Sequence, residues 1–114
     1  MNIEEIRLYC LDNKVVTEGF PFDDTTLVFK VAGKMFALLS LDNHSLNLKC
    51  DPDIAIELRE HYNAVLPGYH MNKKLWNTVV LDGSIPDNLI RDWIDNSYGI
   101  IVENLPQKLK RELL

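Results

Sequence analysis

Two short segments, residues 27–31 and 45–50, alternate with the period of two that is typical of β-strands, and the more apolar segment 34–41 between them is predicted to be a strand as well. The turns between them contain only two or three residues, which excludes the long crossovers that parallel strands need. The pattern therefore predicts an antiparallel meander. Residues 15–22 and 76–81 are predicted to add two further strands.

Four other segments carry apolar residues at helical spacing. A helix over residues 3–13 is predicted to begin at Asn2, with Glu5 completing a capping box. A second helix follows Asp51 and Pro52, a favourable cap and first residue. Two more are predicted from Ser84–Asp87 to Ile101, and from Asn104 or Leu105 to Leu113. The order α, β meander, α, β, α, α predicts an α+β fold, an antiparallel sheet flanked by helices.

The short turn at Ala32–Gly33 predicts that Phe29 pairs with Phe36. This register assigns six residues to the buried face of the sheet: Leu27, Phe29, Phe36, Leu38, Leu46 and Leu48. Ile90, Trp93 and Ile94 are expected to pack on that face. Lys30 and Lys49 alternate with buried residues, so both are expected on the outer face, whose parity Val28 and Leu39 share.

The length of 114 residues fits one domain, residues 1–114, with 46% hydrophobic and 25% charged residues. The longest apolar run, Met35–Leu39, is far shorter than the ~20 residues of a membrane span. The acidic start lacks the basic region of a signal peptide, so the protein is expected in the cytoplasm, as a monomer. Cys10 and Cys50 are too few for a disulfide framework and are expected to be buried, reduced thiols.

The net charge of −5 argues against a protein that coats nucleic acid over its whole surface. Only residues 25–50, 66–81 and 104–114 carry a net positive charge, and these segments could form one basic face if they meet in space. The chain has no glycine-rich phosphate loop, no zinc-ligand spacing and no nucleophile elbow. We therefore expect a protein that is not an enzyme, with no catalytic residue, metal or cofactor.

Residues 67–78 are the most unusual segment, because they combine two lysines, two asparagines, a histidine and two aromatic rings without an acid. Lysines suit phosphate, and aromatic rings suit base stacking. The candidate residues for binding nucleic acid or another phosphate ligand are Lys30, Lys34, Lys49, His70, Asn72, Lys73, Lys74 and Asn77. Alternatively, Trp76 anchors the core and the asparagines satisfy a loop's backbone. The rival function is a protein-interaction or small-ligand adaptor.

Five pieces carry a family resemblance: Pro21–Phe22, Val28–Leu39, Asn47–Pro52, Pro67–Val79 and Asp95–Tyr98. In this order they resemble the MmcQ/YjbR family of small bacterial proteins. The resemblance implies a frataxin-like (CyaY-like) α+β fold and DNA binding through a double-wing arrangement. The family pattern often has a histidine just before the tryptophan. Leu75 takes that place here, so no role of that histidine carries over.

Overall fold

The computed structural model describes residues 1–68 and 71–113. The helices are α1 (Ile3–Leu11), α2 (Pro52–His61), α3 (Asp87–Glu103) and α4 (Gln107–Leu113). The strands are β1 (Val16–Gly19), β2 (Thr26–Val31), β3 (Lys34–Ser40), β4 (Ser45–Lys49), β5 (Val65–Pro67) and β6 (Trp76–Val80). The α+β class with an antiparallel sheet and flanking helices is confirmed.

The starts of α1 and α2 are set by local signals that the sequence carries. The Asn2 side chain accepts a 2.8 Å hydrogen bond from the backbone of Glu5, and the Glu5 carboxylate accepts one of 2.9 Å from the Asn2 backbone. At α2, Asp51 accepts a 3.0 Å bond from the Asp53 backbone. These bonds satisfy amide groups that a helix start otherwise leaves unpaired.

The strands form one antiparallel sheet in the order β1-β2-β3-β4-β6-β5. Strand β5 was not predicted from the sequence. It has only three residues and contains Pro67, so it shows no alternation, and proline lacks the N–H that a central strand needs. Its position at the edge of the sheet, paired only with β6 in the described chain, removes that conflict.

The pairing of β2 with β3 differs from the predicted register. Phe29 lies opposite Ala37, and Lys30 lies opposite Met35, so Phe36 is the extra residue of a β-bulge. The predicted Phe29–Phe36 pair is therefore wrong. The bulge inverts the alternation beyond it, which places Leu39 on the helix side and Leu38 on the other face. Leu38 does not belong to the buried face to which the sequence assigned it.

All four helices pack on one side of the sheet, which we call the helix-covered face. Its core includes Phe29, Phe36 and Leu46, together with Ile90 and Ile94 of α3, as predicted. The other side, here the open face, carries a separate small cluster in which Val28, Leu38 and Trp76 are buried. Among the described residues, the partly buried side chains that pack on this cluster are Met35 of β3 and, from the segment 71–75, Met71 and Leu75.

Both cysteines are buried free thiols, as predicted. Burial raises the pKa of Cys10 to about 12 and also raises the pKa of Cys50. Each side chain is therefore a neutral thiol at physiological pH, and such a thiol is a poor nucleophile. Within the described ranges, no helix has the length and apolar content needed to cross a bilayer.

Candidate functional site

The open face of the sheet presents basic and neutral polar side chains. Val28 lies on this face, and Lys30 follows it by two residues on β2, so Lys30 lies on the same face. Trp76 also lies on this face, and Lys49 is directly opposite it on β4. Glu18 is the one acidic residue within the strands, and it lies opposite Phe29 on the helix-covered face. There it binds Arg7 of α1 at 2.6 Å. The strands therefore contribute positive charge, and no negative charge, to the open face.

Lys30 and Lys49 are close enough to contact one extended ligand. Lys30 pairs with Met35 on β3, and Lys49 lies one step beyond the pair that joins Leu48 to Ala37. The two lysines thus occupy neighbouring rows on strands β2 and β4, with β3 between them. Two strand spacings correspond to about 9.5 Å between the backbones. The prediction that they share a face is confirmed by this register.

The segment 71–75 holds two more lysines beside this row. The Leu75 carbonyl accepts a 2.7 Å hydrogen bond from the Cys50 backbone, which fixes the segment at the end of β4. The Asn72 side chain accepts a 3.0 Å bond from the Lys74 backbone and so closes the turn. Lys73 and Lys74 are exposed. Asn72 is exposed as well. The sequence analysis predicted that it contacts a ligand, and in the structure its side chain stabilises this turn.

Trp76 is buried, which agrees with the core-anchor interpretation, but its cluster is the one on the open face. Gly68 lies directly against it: the Gly68 backbone donates a 2.9 Å bond to the Trp76 carbonyl. A Cβ at Gly68 would stand 2.8 Å from both the Cβ and the carbonyl oxygen of Trp76. Glycine is therefore required for this close approach of the two chains.

A cleft of about 530 Å³ lies on the open face, with Phe22 and Met71 among its lining residues. Its lining also includes the polar side chains of Thr26, Ser40, Ser45, Asn47 and Thr78. The Thr78 hydroxyl donates to the Asn47 side-chain oxygen. A second groove of about 310 Å³ is lined by Phe20, Val28 and Lys30. The connection between β1 and β2 therefore borders both depressions.

Phe20 and Phe22 were not among the residues predicted for the site. Their side chains are 49% and 64% exposed, which is unusual for phenylalanine. The sequence placed both residues in the strand predicted over 15–22, but β1 ends at Gly19, so both rings lie in the connection between β1 and β2. Exposed aromatic rings next to lysines can stack on planar ligands.

Two of the predicted residues do not join this surface, and a third is not described. Lys34 lies opposite Val31, a residue of the helix-side core, so strand alternation directs it away from the open face. Asn77 is only 3% exposed and donates a 3.2 Å bond to the Ala55 carbonyl of α2, on the helix-covered face. The prediction that Asn77 belongs to a surface site is therefore wrong. His70 lies outside the described residues.

The four lysines of the open face, Lys30, Lys49, Lys73 and Lys74, make no ion pair within residues 1–68 and 71–113. The ion pairs found there join the amino terminus to Asp87, Arg7 to Glu4 and Glu18, and Lys110 to Glu103. No group of three or more His, Cys, Asp or Glu side chains in the described part could hold a metal ion. Among the residues that the structure describes, no acidic side chain therefore neutralises the lysines of the open face.

Asp23 is an acidic residue at the edge of the cleft, and the β1–β2 connection uses its carboxylate. One oxygen accepts hydrogen bonds of 3.0 and 2.7 Å from the backbones of Thr25 and Thr26. These bonds lower the pKa of Asp23. They stabilise the ionised form of Asp23. Because the same bonds join Asp23 to Thr25 and Thr26, the carboxylate also orders the start of β2, next to Phe22.

This pKa shift predicts acid sensitivity of the folded state. A carboxyl with a lowered folded-state pKa stabilises the protein above its unfolded pKa of about 3.9, and this contribution is lost as the pH falls through the folded-state pKa. Asp23→Asn keeps an acceptor oxygen and does not titrate. We expect the variant's free energy of unfolding, measured with urea, to fall less than the parent's below about pH 4. Asp24→Asn, which removes a charge without these bonds, is the control, and equal slopes for parent and Asp23→Asn would contradict the assignment.

Comparison with known proteins finds a matching family model and similar bacterial proteins. Residues 11–100 match the family model described as YjbR. The uncharacterized protein YjbR of Escherichia coli K12 is 36% identical over 116 residues, covering 100% of this chain and 98% of the relative. The uncharacterized protein YyaQ of Bacillus subtilis is 44% identical over 66 residues, covering 54% of this chain and 55% of YyaQ.

Solved structures agree with the architecture. A crystal structure from Deinococcus radiodurans aligns with a TM-score of 0.91 at 38% identity, covering 98% of this chain and 87% of that chain. A crystal structure from Pseudomonas syringae aligns with a TM-score of 0.77 at 25% identity, covering 88% of this chain and 98% of that chain. The sheet and its helices are therefore shared across distant bacteria.

Proposed function

This chain belongs to the YjbR family, and we propose that it is a non-enzymatic module that binds nucleic acid across the open face of its sheet. The observation that carries the proposal is the positive charge of that face, which makes no ion pair with any residue that the structure describes: Lys30, Lys49, Lys73 and Lys74. Phosphate groups of a nucleic acid backbone are the ligand that such a row of lysines would position.

Base contacts are proposed for the aromatic and polar residues between the lysines. Phe20 and Phe22 are exposed enough to stack on bases that have been released from a duplex. Hydroxyl and amide groups in the cleft between Phe22 and Met71 can bond to base edges. Since stacking requires accessible base faces, we propose that single strands bind more tightly than duplexes.

The binding we propose is weak and sensitive to salt. The net charge of −5 repels a polyanion, and about four lysines provide the attraction. Release of counterions gives a log–log salt slope of about −0.7 per phosphate contact on single strands and −0.9 on duplexes. Dissociation constants should be micromolar or higher at physiological salt, the range of non-specific binding.

The test is fluorescence anisotropy with labelled single-stranded DNA, single-stranded RNA and duplex DNA, between about 50 and 200 mM salt. Replacing Lys73 and Lys74 together by alanine is expected to weaken binding to every sequence alike. The slope should flatten by about one to two units, because two phosphate contacts are removed.

A matched control removes the same charge elsewhere. Lys34→Ala combined with Lys108→Ala changes the net charge equally, but Lys34 is directed away from the open face and Lys108 lies on α4. This variant should keep the parent slope. If both double variants weaken binding equally, the loss reflects net charge and not contacts at the open face, which contradicts the proposal. If the parent binds none of the three nucleic acids at low salt, the adaptor function replaces it.

A further inference from the structure

The cleft of the open face, next to Phe22, is lined by neutral polar side chains and by one carboxylate, that of Asp23. No lysine or arginine is among the lining residues that the structure describes. A phosphate group therefore meets no cation inside the cleft, and the carboxylate repels it. Lys49 lies outside, two residues beyond Asn47 on the same face of β4. Two strand residues span about 6.7 Å, a distance that one nucleotide can bridge from its phosphate to its base.

Asn47 presents only one end of its side-chain amide to this cleft. The oxygen Oδ1 accepts a hydrogen bond from the hydroxyl of Thr78, the residue opposite Asn47 on β6. The nitrogen Nδ2 makes no hydrogen bond within the described part of the chain. Among described residues that are not exposed, only Asn77 has an unpaired side-chain polar atom sealed from solvent, so Asn47 Nδ2 is accessible. Because Asn47 lines the cleft, this nitrogen is available to a ligand there.

The cleft therefore offers hydrogen-bond donors to a base. Asn47 donates through Nδ2, and the Ser40 hydroxyl keeps its proton available, because its oxygen accepts a 3.3 Å bond from the Asn43 backbone. An asparagine with both amide ends available can bind adenine through N6 and N7, but Thr78 occupies the oxygen that this contact needs. A base that enters the cleft must instead present an acceptor.

One common base lacks the acceptor that suits these donors. Guanine, thymine, uracil and cytosine each carry a ring carbonyl oxygen, whereas adenine carries an exocyclic amine and no carbonyl. The adenine nitrogens N1 and N7 are acceptors, but both lie beside that amine. Adenine would therefore bring a donor against the Asn47 donor, and such a mismatch selects against a ligand.

We propose that this cleft binds the ring carbonyl of a nucleobase through Asn47 Nδ2, so that the open face prefers carbonyl-bearing bases to adenine. The inference rests on the proposed function and adds a base preference to it. The phosphate of the same nucleotide lies at Lys49, and the ring of Phe22 stacks on the base. Thr78 is a positioning residue, because it determines which end of the Asn47 amide faces the ligand.

The test compares single-stranded hexanucleotides of deoxyinosine and deoxyadenosine by fluorescence anisotropy, in lithium chloride to disfavour four-stranded assembly. The two bases share one ring system, and inosine has a carbonyl oxygen where adenosine has the amine. We expect the inosine strand to bind about tenfold more tightly, because one hydrogen bond is gained and one donor mismatch is avoided. The salt slopes of the two strands should be equal, because their phosphates are the same.

Three variants test the assignment to Asn47. Asn47→Leu keeps a side chain of similar size without the donor, so the preference should fall below about twofold while the salt slope is unchanged. Asn96→Leu, the same change at an exposed position of α3, is the matched control and should keep the parent's preference. Thr78→Val leaves the Asn47 amide free to turn its oxygen toward adenine, so the preference should fall here as well.

Equal affinity of the parent for the two strands overturns the inference, and so does a preference that persists in Asn47→Leu. If the parent binds both strands equally and its affinity falls with salt, the nucleic-acid function stands and only the base preference fails. Lys73→Ala with Lys74→Ala should weaken both strands alike and keep the ratio of their affinities. If the parent binds neither strand at about 50 mM salt, the function and the base preference fail together.

Discussion

Replacing Phe36 with alanine is expected to lower the free energy of unfolding by about 3–5 kcal/mol. Phe36 is fully buried, and its ring centre lies 5.3 Å from that of Tyr98 on α3 and 6.5 Å from that of Phe29 on β2. The truncation removes this contact between sheet and helix and leaves a cavity that neighbouring strands cannot fill. The loss is a large share of the 5–15 kcal/mol typical of domains.

Urea unfolding monitored by circular dichroism measures this change. Phe22→Ala is the matched control, because the same atoms are removed from a side chain that is 64% exposed. Its free energy of unfolding should change by no more than about 0.5 kcal/mol. A loss below about 1 kcal/mol for Phe36→Ala would show that the bulge does not direct this ring into the core.

Removing one hydroxyl group, in Ser97→Ala, is expected to cost about 2–4 kcal/mol. Ser97 is fully buried on α3. Its hydroxyl donates a 2.6 Å bond to the Phe36 carbonyl and accepts a 2.9 Å bond from the Lys49 backbone. Phe36 and Lys49 would be the next opposed pair of β3 and β4 after Ala37 and Leu48. The serine thus bridges two strands where the bulge interrupts their ladder.

The alanine variant leaves both backbone groups without this partner, and the fold loses a link between α3 and the sheet. Gly99→Ala, at an exposed position of the same helix with open space around the added methyl group, is the control and should stabilise by up to about 1 kcal/mol. Urea unfolding of both variants decides the matter. A loss under about 0.5 kcal/mol for Ser97→Ala would mean that β3 and β4 close the gap and pair directly.

Local signals in the sequence predicted the positions of the helices and of five strands along the chain. Helix starts depend on residues within one turn, as at Asn2 and Glu5, and Asp51 needs only its neighbours to cap α2. The apolar stripe of α3 likewise predicted Ile90 and Ile94 as core residues. These signals are local, so they can be identified without knowledge of the fold.

The candidate site could be predicted in part. The alternation of single strands correctly directed Lys30 and Lys49 to one face, and turn residues placed Lys73 and Lys74 at the surface. Asn77 could not be assigned, because its strand β6 lies between β4 and β5, with α2 packed above it. Only that packing shows that its side chain is buried against Ala55.

The register of β3 depends on contacts that form only in the folded chain. Sequence alternation cannot distinguish a regular hairpin from one with an extra residue, because Phe36, Ala37, Leu38 and Leu39 are all apolar. The choice depends on Ser97, sixty-one positions away from Phe36, whose hydroxyl satisfies the carbonyl that the bulge leaves unpaired. A buried polar group must find a partner, and that partner can be brought near only by the folded chain.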